Sequence, residues 1–178
     1  MLFRSNHVTQ AALGLSCLVG GVIARYPDRT SLLLLLPGTL FIRMALNAID
    51  GMLAREHDMQ TKLGAILNEL GDVLSDSALY LPLALVPAFN HWLVVGLVIL
   101  AVLVEMAGVV AIQIGAARNY AGPMGKSDRA FAFGLIALLL GLGLPEGRWI
   151  TAALSIMLLL SLVTIYNRAR LALRESRS

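Results

Sequence analysis

Apolar residues fall along this chain in six long runs, at residues 8–24, 31–55, 62–87, 93–117, 130–144 and 149–166. A helix needs about 20 apolar residues to cross the hydrocarbon core of a bilayer. The pattern therefore predicts an all-α integral membrane protein with six transmembrane helices. The breaks carry turn chemistry, as in Tyr26-Pro-Asp-Arg29 and Pro145-Glu-Gly-Arg148. Pro37-Gly38 predicts a kink inside the second run. Small residues in the first run, in AALGLS and VGG, suit close helix packing. Two runs carry polar stripes. Arg43, Asn47, Asp50 and Ala54 share one face of the second, and Gly64, Asn68, Asp72 and Asp76 recur at four-residue steps along the third. Ionisable groups at membrane depth are costly and usually functional, so the stripes must face each other or a ligand.

Composition narrows the class. The chain has 178 residues, of which 58% are hydrophobic and 14% charged, where a soluble domain carries roughly a quarter charged residues. One membrane domain spanning residues 1–178 is expected. The net charge of +3 arises mainly from loop and tail residues and does not point to nucleic acid. Cys17 is the only cysteine, which excludes a disulfide and a cysteine-based zinc site; it reads as a small packed residue. His7, His57 and His91 are not spaced as a metal cluster and read as interfacial. The N-terminal MLFRSNH leads into a run long enough to remain as a helix, so no cleavable signal peptide is expected. Basic residues collect on one side of the predicted spans, at Arg55, Lys62, Arg118, Lys126, Arg129 and the tail; Arg25, Arg29 and Arg148 lie on the other. By the positive-inside rule both termini are cytoplasmic. Asp50, Arg55, Asn68 and Asp72 then lie near the cytoplasmic face.

The stretch from Arg43 to Asp76 also has a fixed spacing. Asp50-Gly51 is followed at set offsets by Ala54-Arg55, by Gly64 eight residues on, and then by Asn68 and Asp72. It resembles the signature D-x2-D-G-x2-A-R-x8-G-x3-D-x3-D of the CDP-alcohol phosphatidyltransferase family, and phosphatidylglycerophosphate synthases in particular. Asn47 and Asn68 stand where that pattern has Asp. The resemblance implies transfer of a substituted phosphate from a CDP-linked lipid, such as CDP-diacylglycerol, to an alcohol or phosphorylated alcohol, with release of CMP in phospholipid synthesis. It implies Mg2+ or Mn2+ held by Asn47, Asp50, Asn68 and Asp72, with Asp72 also the catalytic base. Glu69, beside Asn68, is a candidate to restore one missing charge. Gly51, Ala54, Arg55, Gly64 and Asp76 are assigned to the CDP-lipid. A homodimer in the inner (cytoplasmic) membrane, with its active site toward the cytoplasm, is expected.

Three features lie outside the signature. Arg43 is expected to face the bundle interior and pair with Asn47 or a carboxylate such as Asp76, because a lone Arg at that depth is expensive. Glu105 and Gln113, on one face of the fourth run, are candidates to cap the polar cavity or join subunits. The basic loop at residues 118–129 offers Arg118, Lys126 and Arg129 as an acceptor site that would hold an acceptor's phosphate; a plain basic loop is the bland alternative. Two other readings stay open: a cation- or lipid-binding membrane protein without chemistry, and a family relative whose Asn substitutions ended catalysis.

Overall fold

Proline, glycine and short polar side chains set several of the helix ends. The computed structural model describes residues 5–56 and 62–176, with side chains described for residues 9–46 and 63–176. Among the described residues six α-helices follow one another: α1 Ser5–Arg25, α2 Leu35–Glu56, α3 Lys62–Tyr80, α4 His91–Val110, α5 Lys126–Gly141 and α6 Arg148–Glu175. Short 3₁₀ turns precede α2 (Thr30–Leu34) and follow α3 (Leu81–Leu85) and α4 (Ala111–Ile114). There is no strand among the described residues. Pro82 ends α3, since it lacks the N–H that the next helical bond needs. Asn90 starts α4 by accepting the Leu93 amide on Oδ1 at 3.2 Å. Asp128 starts α5: its Oδ2 accepts the Gly125 amide at 2.9 Å, and its charge sits in the positive first turn.

Several boundaries differ from the sequence expectation. Pro37 does not kink a long helix; α2 begins at Leu35 after the 3₁₀ turn, and Pro37 occupies its first turn, where a missing N–H costs little. The third run ends as α-helix at Tyr80 rather than 87, and the fourth at Val110 rather than 117. α5 starts at Lys126 rather than residue 130, so Lys126 and Arg129 are helical rather than loop residues. The expected tail from residue 167 is the continuation of α6. Cys17 is exposed, not packed.

Helix α1 packs against α3 and α2, α4 against α6, and α2 against α5. The α1–α3 seam depends on small residues: a Cβ on Gly20 would lie 2.0 Å from the Ala78 carbonyl oxygen. The core gathers Ile23, Leu33, Leu36, Leu79, Leu83 and Leu97 with Phe133, Ile150 and Leu154. Burying one such side chain contributes about 1.5–3 kcal/mol in water, but water is not the solvent this surface suggests. Phe41, Trp92, Phe131 and Leu142 are 70–74% exposed, while Arg43, Arg129 and Arg168 are 1–3% exposed. Charge inside and large apolar groups outside is the distribution of a protein solvated by lipid. His91–Ile114 and Arg148–Glu175 are long and apolar enough to cross a membrane. Thr9–Arg25 and Thr30–Leu46 are apolar but shorter.

Candidate functional site

The four-residue spacing on α3 places Asn68, Asp72 and Asp76 on one wall of a cavity of about 370 Å³, with Glu69 beside them. The opposite wall comes from α4 (Val98, Ala101, Glu105), from Arg118 and Tyr120 after α4, and from the first turn of α5. Arg168 reaches in from α6. Tyr80 closes the apolar end, its ring stacked on Phe133 with centroids 4.4 Å apart. Five carboxylates and four cations line this space.

These charges are arranged as pairs. Lys126 Nζ lies 2.5 Å from Asp72 Oδ1, and Arg118 pairs with Glu69. Arg43 of α2 holds Asp76 at 2.9 Å, as its depth in the sequence suggested, and Arg129 approaches the other oxygen of Asp76 at 3.6 Å. Arg129 also donates to Glu105 at 2.9 Å and to the Met124 carbonyl at 3.2 Å. Glu105 is the hub: Arg129 Nη2, Arg168 Nη1 and Arg118 Nη2 lie 2.9, 3.4 and 3.8 Å from its oxygens. Glu105 therefore belongs to the cavity. Burial lowers Arg118 from its usual value; Tyr120, over whose ring the guanidinium lies at 4.7 Å, opposes this, and Arg168 adds to it.

The segment between α4 and α5 is held on α6. Met124 N–H donates to Thr164 Oγ1 at 2.9 Å, and Arg168 Nε donates to the Ala121 carbonyl at 3.3 Å. Asn119 Nδ2 donates to the Arg168 carbonyl at 3.4 Å, and Ala117 N–H to Glu175 at 3.2 Å. Gly122 lets the segment approach: its φ is +131°, and a Cβ there would lie 2.4 Å from Thr164. Arg168 also donates to the Val104 carbonyl at 2.6 Å, tying α6 to α4 beside Glu105.

Of the sequence candidates, Asn68, Glu69, Asp72, Asp76, Arg118, Lys126 and Arg129 meet in this one cavity. The three basic candidates differ in accessibility: the side chains of Lys126 and Arg118 are 31% and 21% exposed, that of Arg129 only 1%. Gly64 sits in the first turn of α3, outside the lining. Asn47, Asp50, Gly51, Ala54 and Arg55 lie on the last turns of α2, and their side chains are outside the described ones. Among the described residues no three His, Cys, Asp or Glu stand together as a metal site. The oxygens of Asn68, Glu69 and Asp72 are donors of the type that Mg2+ and Mn2+ take, but as a set on one helix they need partners from elsewhere. Sequence reasoning missed Arg168, Thr164 and Tyr80. The signal for the first two was present: Ser161, Thr164 and Arg168 form a buried polar stripe on α6, disguised by the basic residues that follow.

The profile of the CDP-alcohol phosphatidyltransferase family matches residues 5–166. An Escherichia coli (strain K12) protein described as inner membrane protein YnbA is 50% identical over 172 residues, which span 97% of this chain and 85% of that protein. The fold is similar to that of Mycobacterium tuberculosis phosphatidylinositol phosphate synthase (PgsA1). Its crystal structure with manganese and citrate superposes with a TM-score of 0.80 at 17% identity, covering 96% of this chain and 83% of that one. The structure of the same enzyme with CDP-DAG bound gives 0.76 at 16% identity, covering 99% and 88%.

Proposed function

The chain belongs to the CDP-alcohol phosphatidyltransferase family, and from that premise we propose that it transfers a phosphatidyl group from a CDP-linked lipid, such as CDP-diacylglycerol, to the hydroxyl of an alcohol. The observation that carries this reading is that the retained signature acid Asp72 opens onto the same cavity as the basic residues after α4. The acceptor oxygen bonds to the lipid-bearing phosphorus, the phosphoanhydride P–O bond breaks, and CMP leaves with that electron pair. The acceptor proton passes to the Asp72 carboxylate, which Lys126 Nζ holds in place at 2.5 Å. Asn47, Asp50, Asn68, Glu69 and Asp72 are the residues that would hold Mg2+ or Mn2+. Bound there, the cation supplies positive charge against the pyrophosphate. Gly51, Ala54, Arg55, Gly64 and Asp76 are assigned to the CDP-lipid, and Arg118, Lys126 and Arg129 to the wall against which the acceptor sits.

In this reading the protein lies in the inner membrane with six spans, both termini and the cavity mouth toward the cytoplasm, and works as a homodimer. The named E. coli relative supports the membrane assignment. Incubation of the purified protein with CDP-diacylglycerol, Mg2+ or Mn2+, and a panel of alcohols, followed by CMP detection, tests the reaction. The wild type releases CMP only with an acceptor present, and Asp72→Asn lowers that rate at least about a hundredfold, the scale on which removing a general base acts. CMP release by Asp72→Asn at the wild-type rate refutes the placement of the base. One observation favours a second reading: Asn47 and Asn68 remove two formal charges relative to the family pattern, as a relative that binds CDP-lipid without turning it over would. Binding of CDP-diacylglycerol without CMP release under any condition establishes that one.

A further inference from the structure

We propose that the acceptor is an alcohol carrying no phosphate or other anionic group, and that Glu105 sets this preference; the proposal rests on the phosphatidyl-transfer reading of the same cavity. A phosphate is held by cations whose charge is not already balanced, through short charge-assisted hydrogen bonds. Among the described residues this cavity has four basic side chains, and each already faces a carboxylate. Lys126 is on Asp72, Arg118 on Glu69, Arg129 between Asp76 and Glu105, and Arg168 on Glu105. Glu105 contributes most, because three guanidiniums converge on its two oxygens. It stands where the phosphate of an anionic acceptor would have to stand to use those arginines. The carboxylate itself is held from three sides, with its side chain only 13% exposed, so it does not swing out to water without breaking all three contacts.

The cavity does offer neutral hydrogen-bonding groups. Tyr80 lines it, and its hydroxyl is buried behind that wall without a partner. Ser77 is beside it on α3, and Ser127 and Tyr120 face it across the space. A buried unpartnered hydroxyl carries a desolvation cost that a ligand hydroxyl removes. The other unpartnered donors on the lining, Nε of Arg118 and of Arg129, belong to guanidiniums whose charge already faces carboxylates. Uncharged hydroxyls therefore suit this lining, whereas a phosphate would have to displace the Glu105 carboxylate from its three guanidiniums.

The test pairs each alcohol with its phosphate ester, glycerol with glycerol 3-phosphate and inositol with inositol phosphate, in the CMP-release assay on the full chain. The wild type should react at least tenfold faster with the unphosphorylated member, as kcat/KM, of whichever pair supports turnover. Glu105→Gln keeps the side chain's shape and removes its charge; it should move that ratio at least tenfold toward the phosphate ester, a change in selectivity that general destabilisation would not produce. A second arm measures calorimetric binding of inorganic phosphate and glycerol 3-phosphate without metal or CDP-lipid. The wild type should bind neither below about 10 mM, and Glu105→Gln should bind at least tenfold more tightly. Wild-type preference for the ester, submillimolar phosphate binding by the wild type, or an unchanged selectivity ratio in Glu105→Gln overturns the proposal. The wild-type results decide it alone should the variant not fold. Absence of CMP release with every acceptor refutes the transfer reading instead, and the binding arm still decides whether Glu105 excludes anions.

Discussion

Replacing Arg129 by Met should destabilise the protein by roughly 3 kcal/mol, and Glu105→Gln should give part of that back. The Arg129 side chain is 1% exposed and bridges two carboxylates, at 2.9 Å to Glu105 and 3.6 Å to Asp76. At an effective dielectric of 20 those contacts represent about 6 and 5 kcal/mol of gross attraction. Most of that is offset by the desolvation of the guanidinium, and removing one partner of a buried pair typically costs about 3–5 kcal/mol net. The lower end applies here because neither acid is left alone: Asp76 keeps Arg43, and Glu105 keeps Arg168 and Arg118. For a chain of this length about 3 kcal/mol corresponds to a Tm lowered by roughly 6–12 °C. The assay is thermal unfolding of the purified protein in one detergent for the wild type, both single variants and the double variant. Groups in direct contact couple by about 0.5–3 kcal/mol, so the double variant should be more stable than the sum of the single effects requires. A drop of less than about 2 °C in Arg129→Met, or additive effects in the double variant, would refute the claim that a balanced charge cluster holds α3, α4 and α5 together.

Asp50→Asn should abolish CMP release as Asp72→Asn does while leaving membrane insertion intact, since these are the two signature acids this chain retains; turnover near the wild-type rate would show the site misplaced. Glu69→Gln should raise the Mg2+ concentration for half-maximal rate several-fold, and Leu70→Ala should leave it alone; equal values for Glu69→Gln and the wild type would make Glu69 a bystander. Gly20→Val should lower stability by about 1–3 kcal/mol, the usual scale of overpacking, because its side chain would press on the Ala78 carbonyl; an unchanged Tm would mean α1 and α3 separate freely.

The apolar runs located the six α-helices seen among the described residues, because a run of that length has little alternative to a helix in lipid. The α3 stripe was legible for the same kind of reason: Asn68, Asp72 and Asp76 repeat every four residues, and a helix turns that spacing into a wall. Arg43 could be matched with Asp76 because a buried cation must find an acid. Helix ends were harder. Whether Lys126 belongs to a loop or to α5 depends on Asp128 capping Gly125, a bond between residues that also occur in ordinary turns. Glu105 as a hub was only half visible, since its three arginines arrive from separate segments, 13 to 63 residues further along the chain. Arg168 was hidden by its company: among tail arginines nothing in composition marks the one that turns inward.

The three-sided grip on Glu105 has a consequence for biogenesis. Glu105 is synthesised 63 residues before Arg168, an interval of about 3–13 s at ordinary translation rates. Arg129 follows Glu105 by only 24 residues. During those seconds the acid has at most two of its three cations within reach, and the segment after α4 lacks the Thr164 hydroxyl and Arg168 contacts that anchor it. The cavity is thus among the last parts of the molecule to take shape, and it closes only as α6 emerges. A chain stalled or cut before α6 would expose an acid and two arginines to the insertion machinery with nothing to seal them. Such a fragment is marked for quality control by a charge cluster left open on the side that α6 would cover.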